Sequence, residues 1–166
     1  MKTRMEYWKI APGGFKAMSS LETYLNGCGL DSGLLHMVKL YASQINGCAY
    51  CIDMHWKDAR AAGQSEQRLY GLNAWRESPY YTDRERAALE WTEALTRVTN
   101  GHVSDAVYET VRTHFSDKEL TDLTWAIAAI NAWNRVSIAF RSEAGAYKPP
   151  MAASVGSKPL EVARLP

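Results

Sequence analysis

Apolar residues recur along most of this chain at three- and four-residue spacing, which is the period of an amphipathic α-helix. The alternation of apolar and polar residues that marks a half-buried strand is almost absent. The sequence therefore predicts an all-α protein, a helical bundle of short antiparallel helices. The longer predicted helices cover residues 15–26, 32–46, 48–62, 83–100 and 117–141, and shorter ones follow Ser65 and Ser104.

Capping signals support the start of two of these helices. The segments Thr82–Glu85 and Ser116–Glu119 each place a hydroxyl residue three positions before a glutamate, the pattern of a capping box. The helix that begins after Ser116 is apolar nearly all round, so we expect it at the centre of the bundle. Trp125 and Trp133 on this helix are accordingly expected in the core.

Composition and charge fit one ordinary globular domain. The chain has 166 residues, of which 46% are hydrophobic and 22% charged. A net charge of +1 without clustered Lys and Arg argues against binding to nucleic acid or to an acidic membrane surface. The amino-terminal residues do not resemble a secretory signal, and polar residues interrupt the most apolar stretch, 123–140, so no membrane span is expected. We expect a cytoplasmic protein.

The composition changes after Ser142, because four of the six prolines lie between Pro149 and Pro166. We therefore divide the chain into a helical domain, residues 1–141, and a proline-rich carboxy-terminal tail, residues 142–166. The pattern leaves open whether this tail is flexible or packs on a neighbouring subunit.

The most distinctive chemistry lies in the predicted helix that begins at Cys48. Residues three and four apart share one face of a helix, so Cys48, Cys51 and His55 form a stripe. A thiolate formed there can attack an oxidant, and the second thiol can then close a disulfide that a reductant reopens. The stripe therefore favours a redox function. Helix-dipole stabilisation favours Cys48 as the more acidic thiol, whereas proton transfer to His55 favours Cys51.

The residues around the stripe are similar to a known family. The run from Ser43 to His55, SQINGCAYCIDMH, resembles the signature of the AhpD-like alkylhydroperoxidases within the carboxymuconolactone decarboxylase superfamily, and the run from Ile130 to Arg135, INAWNR, resembles a second segment of that family. The resemblance implies a homo-oligomer that reduces hydroperoxides without a cofactor such as flavin or haem. It also implies an external thiol carrier as electron donor, with Cys51 reacting with peroxide and Cys48 resolving.

One position departs from the family pattern, Glu-x11-Cys-x2-Cys-x3-His, in which the glutamate belongs to a proton relay. Here the residue twelve positions before Cys48 is His36. Imidazole can shuttle protons near neutral pH, so we retain His36 as a candidate relay residue with His55. The fixed negative charge of a carboxylate is lost at this position.

Two other functions compete with the peroxidase. His36, Cys48, Cys51 and His55 offer two nitrogen and two sulfur ligands, a set that zinc accepts, although a stripe on one straight helix does not readily converge on one ion. We therefore assign no metal. The second alternative is a non-redox enzyme like the lactone decarboxylases, which do not depend on a cysteine pair.

The remaining candidates receive plainer interpretations. Cys28 is expected to be an unpaired thiol, and Asp53 and Asp58 are expected to be solvated charges. Asn131, Asn134 and Arg135 need hydrogen-bond partners if the last helix is buried, either near the cysteines or across a subunit interface.

Overall fold

The computed structural model describes residues 2–149, and within that range it contains α-helices and 3-10 turns but no strand. The predicted all-α class is confirmed. The eight α-helices of this range are α1 (Tyr7–Ile10), α2 (Pro12–Asn26), α3 (Ser32–Asn46), α4 (Ala49–Ala61), α5 (Glu66–Tyr70), α6 (Asp83–Thr96), α7 (Asp105–Arg112) and α8 (Asp117–Phe140). Across residues 2–149 no helix is both long and apolar enough to cross a membrane.

The helix starts follow the predicted capping chemistry. Both capping boxes form: the Thr82 and Ser116 side chains accept from the backbone N–H groups three residues later, and the glutamates accept in return. The start of α4 differs, because Cys48 is its N-cap residue and the Cys48 sulfur accepts a hydrogen bond from the Cys51 N–H at 3.4 Å. A cysteine therefore occupies the position that serine or aspartate usually holds.

Two boundaries differ from the sequence-based prediction. The pattern did not reveal α1, a single turn at Tyr7–Ile10 that buries no residue and so lacks a clear hydrophobic period. Helix α6 ends at Thr96, and a 3-10 turn covers Val98–Asn100 before the break at Gly101.

The core lies between α3 and α8, with α4 and α6 packed against α3. Helix α3 is buried over most of its length, and its side chains Met37 and Leu40 have no exposed surface. Helix α8 contributes Leu123 and Ile127, which are equally inaccessible. The expectation for Trp125 is wrong, because its side chain is 52% exposed on the outer face of α8.

A buried amide network joins α3 to α8 just above the cysteines. Asn134 has no exposed surface; its side chain donates to the Ser43 hydroxyl at 3.0 Å and accepts from the Asn46 amide at 2.8 Å. The Asn46 amide also donates to Asn131 at 3.0 Å. The polar residues of α8 are therefore satisfied within the chain, near the cysteine pair.

The first residues after α8 cross back over α4. The Lys57 ammonium donates to the carbonyl oxygens of Gly145 at 3.2 Å and Tyr147 at 3.0 Å, and the Gly145 N–H donates to Asp53 at 3.1 Å. We call this segment, residues 143–149, the strap. The division of the chain at residue 141 stays a prediction, and residues 150–166 of the predicted tail lie outside the described part.

The α3–α8 network can be tested by its contribution to stability. Asn134→Ala leaves buried polar groups of Asn46 and Ser43 without this partner, so we expect the free energy of unfolding to fall by about 2 kcal/mol. Chemical denaturation measures the loss. Arg135→Ala, at an exposed position of the same helix, is the control and should change stability by no more than about 0.5 kcal/mol. Equal effects of the two substitutions would contradict a role for burial.

Candidate functional site

A tight connection between α3 and α4 positions the two cysteines. Gly47 closes α3 in the left-handed conformation, with φ of +70°, and the Cys48 N–H donates to the Ser43 carbonyl at 3.0 Å. Helix α4 therefore begins at Ala49, directly after this connection, and it contacts α8. Cys48 and Cys51 are each 1% exposed and form a disulfide, with Cα atoms 5.3 Å apart.

The two candidate relay histidines face each other from adjacent helices. His55 lies one turn beyond Cys51 on α4, and its side chain is 8% exposed. His36 lies on α3, and its ring centre is 6.0 Å from that of His55. The predicted site residues His36, His55 and Cys51 all line one cavity of about 290 Å³, whereas Cys48 is not part of its lining.

Asp58, which was expected to be a solvated charge, supplies a carboxylate to the site. Its side chain is 11% exposed, and its Oδ2 atom lies 4.0 Å from Nδ1 of His36 and 3.9 Å from Nδ1 of His55. Its Oδ1 atom accepts a hydrogen bond of 2.7 Å from the hydroxyl of Tyr147 in the strap. The interpretation of Asp58 as a solvated charge is wrong. A negative charge does reach the histidines, but it comes from α4.

An ion pair between a buried lysine and a partly buried glutamate lines another side of the cavity. The Lys39 ammonium, on a residue only 3% exposed, lies 2.5 Å from a Glu22 carboxylate oxygen. The other Glu22 oxygen accepts from the Trp133 indole N–H at 3.1 Å. Aromatic and apolar side chains form much of the remaining wall: Tyr7, Phe15, Tyr50, Met54 and Trp133. Trp133, expected in the core, lines this cavity.

Burial decides the protonation of the two imidazoles. Desolvation lowers the pKa of His55 well below its usual value, and the nearby Lys39 charge lowers it further. Desolvation also lowers the pKa of His36, against the opposing effect of the Asp58 charge. Both rings are therefore neutral at pH 7. Burial and the hydrogen bond to Asp58 raise the pKa of Tyr147 above its usual range, so its hydroxyl remains a donor.

The sequence analysis missed Asp58, Lys39, Glu22 and Tyr147. Two of them carried a signal, since Asp58 is three residues after His55 and Lys39 three residues after His36, and such pairs share a helix face. Glu22 and Tyr147 carried none, because only the packing of α2 and the path of the strap bring them to the cavity. Cys28 is a partly buried free thiol outside the site, in agreement with its prediction.

Comparison with known proteins identifies the class and then the family. A structure from Agrobacterium tumefaciens, named as a protein of unknown function and suggested to be antioxidant defence protein AhpD, is 47% identical, with a TM-score of 0.85, and the match covers 88% of this chain and 100% of that chain. The fold is thus AhpD-like. The carboxymuconolactone decarboxylase family model matches residues 12–94. The chain belongs to this family.

One further protein is similar in sequence and another is similar in structure. The uncharacterized protein YdfG of Bacillus subtilis is 42% identical over 144 residues, which are 87% of this chain and 98% of the relative. The debrominase Bmp8, solved as a cysteine-to-alanine variant in complex with 2,3,4-tribromopyrrole, is 18% identical with a TM-score of 0.72, over 83% of this chain and 74% of that chain. At that identity the likeness shows the fold alone.

The buried neutral histidines predict a pH dependence of stability. In the unfolded chain each imidazole titrates near about pH 6.5, and in the folded protein it titrates lower. The unfolded state therefore takes up protons first as the pH falls. Their contribution to stability is complete above about pH 6.5 and is lost between that value and the folded pKa.

We expect the free energy of unfolding, measured by denaturant titration from pH 7.5 to 5, to decrease as the solution is acidified. His55 alone contributes a slope of up to about 1.4 kcal/mol per pH unit. In His55→Gln this slope should shrink. A His114→Gln substitution, at a site remote from the cavity, serves as the control, and an unchanged slope in His55→Gln would contradict the assignment.

Proposed function

We propose that this protein is a thiol-dependent peroxidase that reduces organic hydroperoxides through a Cys48–Cys51 dithiol–disulfide cycle. The observation that carries the proposal is the position of Cys51, which is bonded to Cys48 and lines the same cavity as the buried His55 and the partly buried His36. A pair of thiols that closes to a disulfide stores two electrons, which is the number that reduces a peroxide O–O bond.

The proposed peroxidase cycle has three steps. The Cys51 thiolate attacks the terminal oxygen of the hydroperoxide, the O–O bond breaks, and the products are a Cys51 sulfenic acid and, after proton uptake, an alcohol. The Cys48 thiolate then attacks the Cys51 sulfur, forming the disulfide and releasing water once the hydroxyl takes a proton. An external dithiol carrier reduces the disulfide by thiol–disulfide exchange and leaves oxidised.

The placement of Cys51 supports it as the peroxide-reacting thiol. Cys51 lines the cavity, whereas Cys48 lies behind it as the N-cap of α4. His55 follows Cys51 by one turn, so its neutral ring is placed to take the Cys51 proton and to return a proton to the leaving alkoxide. Cys48 is then the resolving thiol.

Asp58 and His36 complete the proposed relay. An imidazole that gains a proton in a desolvated cavity needs a counter-charge, and the Asp58 Oδ2 atom is 3.9 Å from His55 Nδ1. One water molecule can bridge such a gap with a hydrogen bond to each atom. His36 borders the same carboxylate and offers an onward path for the proton.

The shape and lining of the cavity favour an organic substrate. A volume of about 290 Å³ with aromatic walls accommodates a small apolar group beside the peroxide.

We also propose a cytoplasmic homo-oligomer. The exposed aromatic side chains Tyr108 and Trp125, 41% and 52% accessible, provide apolar surface suited to subunit contacts.

The proposal predicts which cysteine is essential. Cys51→Ser should abolish consumption of cumene hydroperoxide by the reduced protein, because the serine hydroxyl is not ionised at neutral pH and cannot take up oxygen. Cys48→Ser should still react once and accumulate a Cys51 sulfenic acid. Mass spectrometry after trapping with dimedone distinguishes the two outcomes.

Cys28→Ser is the matched control for these variants, because Cys28 is a free thiol outside the cavity. It should retain wild-type turnover and form the Cys48–Cys51 disulfide. Undiminished peroxide consumption by Cys51→Ser would overturn the proposed function.

The relay predicts a kinetic role for Asp58. Asp58→Asn keeps the size of the side chain and an oxygen for the Tyr147 hydroxyl, but it removes the charge that stabilises protonated His55. We expect the rate constant for Cys51 oxidation to fall by about 100-fold, which is the lower end of the usual contribution of general acid–base catalysis.

Stopped-flow measurement of the reduced protein with hydroperoxide gives this rate constant across pH 6 to 9. Asp53→Asn is the control, because Asp53 is a carboxylate of the same helix that pairs with Lys57 at 2.8 Å and lies outside the cavity. Similar rates for both variants would remove Asp58 from the relay.

A further inference from the structure

Two buried nitrogen atoms of the cavity have no hydrogen-bond partner. They are Nδ1 of His36 and Nδ1 of His55, and both are inaccessible to solvent within the described range 2–149. The His55 side chain is more than nine-tenths buried, at 8% exposure. Buried polar atoms are nearly always satisfied, so two unsatisfied nitrogens facing one carboxylate indicate that a group belongs between them.

The separations fit a small shared ligand. The Asp58 Oδ2 atom is 4.0 Å from one Nδ1 atom and 3.9 Å from the other, which exceeds hydrogen-bond length. One ligand atom from each of His36, His55 and Asp58 lies within 4.8 Å of the other two. Ligands of a tetrahedral zinc ion lie about 3.3 Å apart at bond lengths near about 2.0 Å. Side-chain shifts of well under about 1 Å would therefore close the site on an ion.

The surroundings of the carboxylate resemble the outer shell of a metal site. The Tyr147 hydroxyl donates to Asp58 Oδ1 at 2.7 Å, which fixes the carboxylate and leaves Oδ2 directed at the imidazoles. In metal sites such hydrogen bonds orient the ligating group.

The charge balance of the cavity also favours a cation. The Lys39 ammonium is neutralised by Glu22 at 2.5 Å. Within residues 2–149 the Asp58 carboxylate has no Lys or Arg at ion-pair distance, and its neighbours are the two imidazoles. The Asp58 carboxylate therefore faces two imidazole nitrogens that have no hydrogen-bond partner, and each of these nitrogens can bind a metal ion.

We propose that His36, His55 and Asp58 form a binding site for a divalent transition-metal ion, with zinc as the ion best suited to two imidazoles and one carboxylate. The three ligands come from the facing surfaces of α3 and α4, so they approach the ion from different directions. A fourth position is open to the cavity, as in zinc sites that bind water or a substrate. The cysteine sulfurs take no part.

The experiment uses the protein with its disulfide closed, in the Cys28→Ser background and without an affinity tag. No thiol is then available to bind zinc, and the peroxidase cycle cannot begin. After treatment with chelator and its removal, calorimetric titration with zinc chloride at pH 7.5 should show one saturable site per chain. Cobalt chloride should give visible bands of nitrogen and oxygen ligation without the sulfur-to-metal charge-transfer band.

Ligand variants locate the ion. Asp58→Asn and His36→Asn should each raise the zinc Kd at least about tenfold, whereas Asp53→Asn, on the same helix, should leave it unchanged. Circular dichroism establishes whether each variant is folded. Because two ligand variants are made, the test can still be carried out if one of them does not fold.

Absence of saturable zinc binding by the oxidised protein would overturn the site. Binding that is unaffected in both ligand variants would also overturn it. The result is distinguishable from failure of the peroxidase proposal, which is measured on the reduced protein by peroxide consumption and not by metal affinity.

Discussion

The close packing of α3 against α4 determines the geometry of the site. Only Gly47, in the left-handed conformation, and the N-cap residue Cys48 lie between the two helices, so the amino-terminal turn of α4 is held against the carboxy-terminal half of α3. The packing buries His55 and partly buries His36, and desolvation then keeps both rings neutral. The protonation state of the site is therefore a consequence of helix packing rather than of any one charged neighbour.

Two carboxylates enter this desolvated region and have different partners. Glu22 pairs with the buried Lys39 and accepts from the Trp133 indole, so both of its oxygens have partners. Asp58 is held by Tyr147 and turns its second oxygen to the histidines. The family relay has a carboxylate at the position of His36, and here a negative charge reaches the same place from the opposite helix. The imidazole at residue 36 adds a nitrogen without removing that charge.

Local features of this site were predictable from sequence because they depend on short spacings. Helical periodicity predicted the class, hydroxyl–glutamate pairs predicted the starts of α6 and α8, and four-residue spacing predicted that Cys51 and His55 share one helix, whereas Cys48 precedes that helix as its N-cap. Contacts between distant segments were not predictable in the same way. Tyr147 is 89 residues from Asp58 in sequence, and only the path of the strap joins them. The prediction that Trp125 lies in the core was wrong because an almost uniformly apolar helix does not reveal which face is exposed.

The proposed proton relay and the proposed metal site depend on the same property, a neutral imidazole with a free lone pair beside an uncompensated carboxylate. They cannot operate together in one molecule, because a metal ion on Nδ1 of His55 occupies the atom through which His55 would exchange a proton with Asp58. Protons and a divalent ion also compete for the same imidazole lone pairs, because a metal ligand must be deprotonated. Metal occupancy would therefore oppose thiol activation without any contact between the ion and the cysteine sulfurs.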